Sequence, residues 1–200
     1  MRPDLWSFET KSIAKGFSKI AGIDEAGRGP LAGPVVSAAV ILPSSFPVSD
    51  IKDSKKLMPG KRADLYEKIY KHAISIGIGI VDSIEIDRIN ILKASLMSMA
   101  MSVDNLNPQP DYLLVDGKFK IPSVLPQEPV IRGDSLSISI AAASIVAKVT
   151  RDRLMEIYHL YYPQFGFSQH KGYPTRAHKK AISKFGCCPI HRRSFRGVLG

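Results

Sequence analysis

The chain has 200 residues, 44% of them hydrophobic and 23% charged, an ordinary globular composition that excludes a disordered or fibrous protein. Its 28 lysines and arginines exceed the 18 acids to leave a net charge of +10, which favours a polyanionic partner. The two cysteines, Cys187 and Cys188, are neighbours and cannot build a disulfide scaffold, and no apolar run is long enough to span a bilayer, so a reducing cytoplasmic setting without membrane insertion is expected.

In chain order, the apolar runs 20–24 and 35–42 are separated by Gly27, Gly29, Pro30, Gly33 and Pro34, which predicts strand, glycine-rich bend and strand, paired antiparallel. Leu65, Ile69 and Ala73 share one face of a helix over about 61–75, after which Ile76, Ile78 and Ile80 alternate with small residues as a third strand. Ile89, Leu92, Leu96, Met99 and Val103 recur at helical spacing and predict one amphipathic helix over 84–106, stopped by Asn107, Pro108 and Pro110. Residues 112–115 read as a short buried strand ending at Asp116 and Gly117. A helix between two strands favours a parallel crossover, hence a mixed sheet.

Three prolines make 121–129 a loop. Asp134 and Ser135 then offer N-cap chemistry for a long helix running through Ala141, Ala142 and Ala143 towards Tyr158. Gly166, Gly172 and Pro174 break the chain, and Thr175 caps a last basic helix ending near Phe185, with Gly186 as its stop. From 157 onward there are eight lysines and arginines and no acid, interleaved with Tyr158, Tyr161, Tyr162, Phe165, Phe167, Tyr173, Phe185 and Phe195. Cations and rings so mixed can neutralise phosphates and stack on sugars or bases. The plain alternative is a solvated basic surface over an aromatic mini-core.

Asp24, Glu25, Asp116 and Asp134 all stand at element ends, where acids can converge on one edge of a sheet. Carboxylates that close repel, so either some are protonated or a cation neutralises them, and hard oxygen ligands select Mg²⁺ or Mn²⁺. Two such ions could assist phosphodiester hydrolysis. Singly, each acid also reads as a cap or turn residue. Gly27-Arg28-Gly29 exposes backbone amides and supplies a phosphate fork; it is not a dinucleotide fingerprint, since the third glycine comes one residue late and prolines lead into a strand. Cys187, Cys188 and His191 lack the second ligand pair of a zinc finger. Ser144 and Lys148, four apart on the long helix, lack an oxyanion-hole motif, and Lys148 reads as a helix-face cation towards acids or phosphate.

Together the runs Gly22-Ile-Asp-Glu-Ala-Gly-Arg-Gly-Pro-Leu-Ala-Gly-Pro34, Asp53-Ser-Lys-Lys-Leu57, Asp116-Gly117, Gly133-Asp134, Ala141-Ala-Ala-Ser-Ile-Val-Ala-Lys148 and His170-Lys-Gly-Tyr-Pro-Thr175 resemble bacterial ribonuclease HII, a type 2 ribonuclease H. The resemblance implies an α/β, ribonuclease H-like mixed sheet flanked by helices, with residues 1–160 as the catalytic core and 161–200 as a small basic C-terminal helical lobe in the same structural unit. It implies an endonuclease that cleaves the RNA strand of RNA/DNA hybrids and 5′ to single ribonucleotides embedded in duplex DNA, using Mn²⁺ or Mg²⁺; a monomer is the default expectation. The four metal-binding acids would be Asp24, Glu25, Asp116 and Asp134. The Gly27, Arg28 and Gly29 backbone would sense the ribose 2′-hydroxyl, the feature separating RNA from DNA, and Tyr173 would stack on the neighbouring deoxyribose. Lys55, Lys56, Lys148 and Lys171 would hold backbone phosphates. The tract 186–195 keeps the family's Pro-Ile-His-Arg run but carries two cysteines before it. With 23 residues ahead of Asp24, the extra N-terminal domain of the sister ribonuclease HIII family is expected to be missing.

Overall fold

Runs of Val, Ile, Leu and Ala form the sheet of the protein, a computed structural model of which describes residues 4–47, 51 and 59–199. The strands are β1 (Ile20–Ala26), β2 (Val35–Ile41), β3 (Ser75–Val81), β4 (Tyr112–Asp116) and β5 (Gln127–Val130), in the order β3-β2-β1-β4-β5. β2 runs antiparallel to both β1 and β3, whereas β4 lies parallel to β1 and to β5. The sheet is therefore mixed, and β1 and β4 end side by side at one edge. In their register Ile23 stands beside Val115, which leaves Asp24 and Asp116 one step further on.

β2 is buried along its whole length because both faces are covered. Ala38 and Val40 pack with Leu65 and Ile69 of α2 (Pro59–His72) and with the alanines of α5 (Ile138–Tyr161). Ala39 and Ile41 pack on the other face with Met99 and Val103 of α4 (Ile91–Asp104). Alternation along one strand thus builds two hydrophobic layers. Gly22 sets the spacing on the α5 side: a Cβ there would lie 2.1 Å from the Ser139 carbonyl carbon. Only glycine lets α5 come so near β1, and α5 thereby brings Ser144 and Lys148 towards the strand end.

Several elements depart from the sequence expectation. The single helix over 84–106 is two, α3 (Ser83–Ile89) and α4, because Asn90 adopts φ 70° and its side chain accepts from the Leu92 and Lys93 amides. Asparagine tolerates that left-handed geometry and caps well, so an unbroken apolar rhythm hid the junction. The expected loop 121–129 ends in a strand, since among the described residues β5 pairs with β4 alone and Pro129 is tolerated on an edge. α2 stops at His72, and Ser75 already belongs to β3.

The N-cap of α5 is Ser137 rather than Asp134 or Ser135; its hydroxyl accepts from the Ile140 amide at 3.2 Å. Buried Glu9, from an N-terminal helix α1 (Ser7–Ala14) that the sequence reading did not place, accepts from the Ser137 hydroxyl at 2.6 Å and the Ser139 amide at 3.1 Å. An anion suits the positive end of that helix. Asp134 instead sits in a short 3₁₀ turn, Gly133–Ser135.

Beyond α5 the chain forms α6 (Phe167–His170) and α7 (Arg176–Phe185), the latter capped by Thr175 and ended at Gly186 as its sequence indicates. Phe165, Phe167, Ile182, Cys188 and Val198 bury themselves with Met155 of α5 and with Leu31 and Ala32 of the β1–β2 connection. Backbone hydrogen bonds join the same parts: the Leu31 amide donates to Gly172, the Gly33 amide to Ile190, and the Arg192 amide to Leu31. The glycine-rich bend is thus clamped between the sheet and the C-terminal lobe.

Candidate active site

β1 and β4 deliver Asp24, Glu25 and Asp116 to one place, where one carboxylate oxygen from each lies within 4.8 Å of the others. They open onto a cavity of about 370 Å³ that is also lined by Gly27, Arg28, Gly29, Arg62, Ser144, Lys148 and Tyr173. Asp24 Oδ1 accepts from the Glu25 amide at 2.7 Å, and the Ser144 hydroxyl of α5 is also hydrogen-bonded to this carboxylate. Asp116 Oδ1 accepts from the Gly133 amide at 2.7 Å, which ties the 3₁₀ turn bearing Asp134 to the end of β4. Asp134 is buried beside this cluster but stands outside the three-carboxylate group.

Burial, then the charges of Glu25 and Asp116, hold the Asp24 carboxyl well above the usual carboxylate range, with the Ser144 hydrogen bond opposing them. Burial also raises Glu25, against the pull of Arg28, whose guanidinium donates to Glu25 Oε1 at 3.1 Å. Glu25 Oε2 is buried with no hydrogen-bond partner among the described residues. Three converging carboxylates, with proton affinity raised at Asp24 and Glu25 and a buried oxygen of Glu25 unpartnered, are the donor set a hard divalent cation fits. Bound there, such a cation would relieve the repulsion.

The basic and aromatic candidates divide. Lys148 lines the cavity, its ammonium 2.7 Å from Asp152 and 5.7 Å from the Tyr173 ring centre. Tyr173 is 40% exposed, and its Cε1 lies 3.9 Å from where a Gly29 Cβ would stand, so ring and glycine bend share one wall. Lys171 does not line the cavity: its ammonium is held by Glu156 of α5 at 2.9 Å and by the Ser168 carbonyl of α6 at 2.8 Å. Lys55 and Lys56 lie outside the described residues. Arg62 of α2 joins the cavity without having been singled out in the sequence, where it reads only as a helix-surface cation. Ser144, considered there with Lys148 as a nucleophilic pair, serves Asp24 instead.

The family model described as Ribonuclease HII matches residues 21–198 of this chain. Ribonuclease HII of Syntrophus aciditrophicus is 56% identical over 189 residues, covering 94% of this chain and 89% of its own length. That of Geobacter sulfurreducens is 54% identical over 197 residues, or 98% and 91% of the two chains. Among solved structures, the ribonuclease H2 from Pyrococcus horikoshii matches with a TM-score of 0.75 at 28% identity, over 90% of this chain and 95% of that one.

Proposed function

The chain belongs to the ribonuclease HII family and is a ribonuclease H, and from that premise we propose that it cleaves the RNA strand of RNA/DNA hybrids and, 5′ to the ribonucleotide, duplex DNA carrying a single ribonucleotide. The observation that carries this reading is the opening of the carboxylate cluster onto the cavity shared by the glycine bend and Tyr173. Cutting machinery and a means of recognising a ribose would then face one scissile phosphate.

In this reading Asp24, Glu25, Asp116 and Asp134 hold Mg²⁺ or Mn²⁺. Such ions, if bound there, would supply the chemistry of lowering the pKa of a water and neutralising charge on the phosphodiester oxygens. Asp24 and Glu25 are presented by β1, Asp116 by β4, and Ser144 keeps the Asp24 carboxylate oriented. Gly27, Arg28 and Gly29 read the 2′-hydroxyl, while Tyr173 stacks on the adjoining deoxyribose. Lys148, and in the same reading Lys55, Lys56 and Lys171, attract backbone phosphates. The 2′-hydroxyl is a handle and water the nucleophile, so the products carry 5′-phosphate and 3′-hydroxyl ends.

The division into a core of residues 1–160 and a lobe of 161–200 follows from the same reading. We take the protein to act as a cytoplasmic monomer in ribonucleotide excision during DNA replication and repair; among the described residues no helix is long and apolar enough to cross a membrane. The test is incubation with RNA/DNA, DNA/DNA and RNA/RNA duplexes in Mg²⁺, Mn²⁺ or EDTA. Metal-dependent loss of the hybrid's RNA strand alone is expected. Cleavage that persists in EDTA, or equal cleavage of all three duplexes, would sink the reading.

A further inference from the structure

Among the described residues, two buried arginines have no role in the reading above. Arg151 of α5 and Arg192 near the chain end are both completely buried, an unusual place for guanidiniums. Each is held by backbone carbonyls. Arg192 donates from Nε to Gly33 at 2.9 Å, from Nη1 to Arg28 at 3.0 Å and Pro30 at 2.9 Å, and from Nη2 to Gly27 at 2.6 Å. Arg151 donates from Nε to Pro34 at 2.9 Å, from Nη2 to Ala32 at 3.1 Å and from Nη1 to Lys171 at 2.9 Å. Between them they take six of the eight carbonyls from position 27 to position 34. Burial and the Arg151 charge push the Arg192 guanidinium down to about 9, which leaves it cationic at neutral pH.

The consequence lies on the other side of the bend. A planar trans peptide points its carbonyl and its N–H in opposite directions. Drawing the Gly27 and Arg28 carbonyls onto Arg192 therefore turns the Arg28 and Gly29 amides away from it. Among the described residues these two amides donate to no protein acceptor, and both residues line the cavity beside Asp24 and Tyr173. Successive unpaired amides of this kind form a concavity for an electron-rich oxygen. Gly27, at φ 100°, completes the arrangement: a Cβ there would come within 2.1 Å of Arg151 Nε.

We propose that Arg192, backed by Arg151, is a positioning residue for ribonucleotide recognition, holding the Arg28 and Gly29 amides where they donate to a ribose 2′-hydroxyl oxygen. This rests on the assignment of Gly27, Arg28 and Gly29 to ribose reading. A lysine at 192 offers one ammonium in place of a fork and cannot span four carbonyls.

The experiment compares wild type with Arg192→Lys in EDTA, measuring affinity for a DNA duplex bearing one ribonucleotide and for the same duplex without it. The ratio of the two affinities should fall by about tenfold in the variant, the scale of losing hydrogen bonds aimed at one hydroxyl, while all-DNA affinity stays within about twofold. A merely structural role would weaken both affinities together, and an unchanged ratio overturns the proposal. Should Arg192→Lys fail to fold, the wild-type ¹⁵N amide spectrum decides: the Arg28 and Gly29 resonances should shift with the ribonucleotide duplex and not with the all-DNA duplex, and equal responses overturn it. Equal wild-type affinity for both duplexes would instead bring down the ribose-reading assignment itself, and this inference with it.

Discussion

Replacing Asp24 by asparagine should make the metal-free protein more stable and leave it unable to use a divalent cation. Asp24 is 4% exposed, and the cluster it shares with Glu25 and Asp116 spans no more than 4.8 Å between ligand atoms. Two full charges at that distance repel by about 3.5 kcal/mol at an effective dielectric constant of about 20. Proton sharing within the trio relieves part of this at neutral pH, so about 2 kcal/mol is released on substitution, raising Tm by roughly 4–8 °C for a chain of this size. Asparagine keeps an acceptor for the Glu25 amide. Because burial and like charges raise the folded Asp24 pKa above its unfolded value, its ionisation costs stability above that raised value, and the cost vanishes as pH falls below the ordinary carboxylate range near 4. Thermal melts in EDTA should therefore separate variant from wild type at pH 7 and bring them together near pH 4. Added Mn²⁺ should raise the wild-type Tm and leave the variant where it was. A variant less stable than wild type in EDTA at pH 7, or a gap that does not depend on pH, would refute the reasoning.

Asp134→Asn should abolish cleavage of an RNA/DNA hybrid with little change in binding measured by anisotropy; retained turnover would remove Asp134 from the metal-holding set. Tyr173→Ala should slow cutting at a ribonucleotide-to-deoxyribonucleotide junction several-fold more than within a long hybrid, since the ring packs on a deoxyribose that only the junction supplies. Equal losses on the two substrates would count against stacking. Burial, then the charge of His178, hold His191 down to about 4, so the folded state takes up a proton less readily than the unfolded one. Stability from this group is intact above about pH 6.5 and is lost on acidification towards pH 4. Urea midpoints should fall across that window, and fall less steeply for His191→Asn; parallel slopes would show that another group is responsible.

Much of the fold could be read from local pattern. Strands β1 to β4 and the basic α7 announce themselves through apolar alternation and through Thr175 and Gly186, and the mixed sheet follows from a helix-bearing connection. β5 was hidden by Pro129 and the prolines before it, because an edge strand needs donors on one side only. Asn90 was hidden inside an apolar rhythm that continues across the helix junction. The site was legible to the extent that acids at strand ends are visible in sequence, and Asp24, Glu25 and Asp116 do converge. The ion pair of Lys171 was not legible, because its partner, Glu156, comes from another element. Arg151 and Arg192 could not be interpreted beforehand: their partners are carbonyls up to 165 positions away, brought to them only by the tertiary fold.

The most direct measurement is to map the cut in a labelled DNA duplex containing one ribonucleotide, with Mg²⁺ or Mn²⁺ present, beside the all-DNA duplex. A single cut on the 5′ side of the ribonucleotide, leaving 3′-hydroxyl and 5′-phosphate ends and no product from the control, is the result expected of carboxylates and glycine bend acting on one phosphate. Tight binding without a cut, or cuts spread equally over both duplexes, would contradict it.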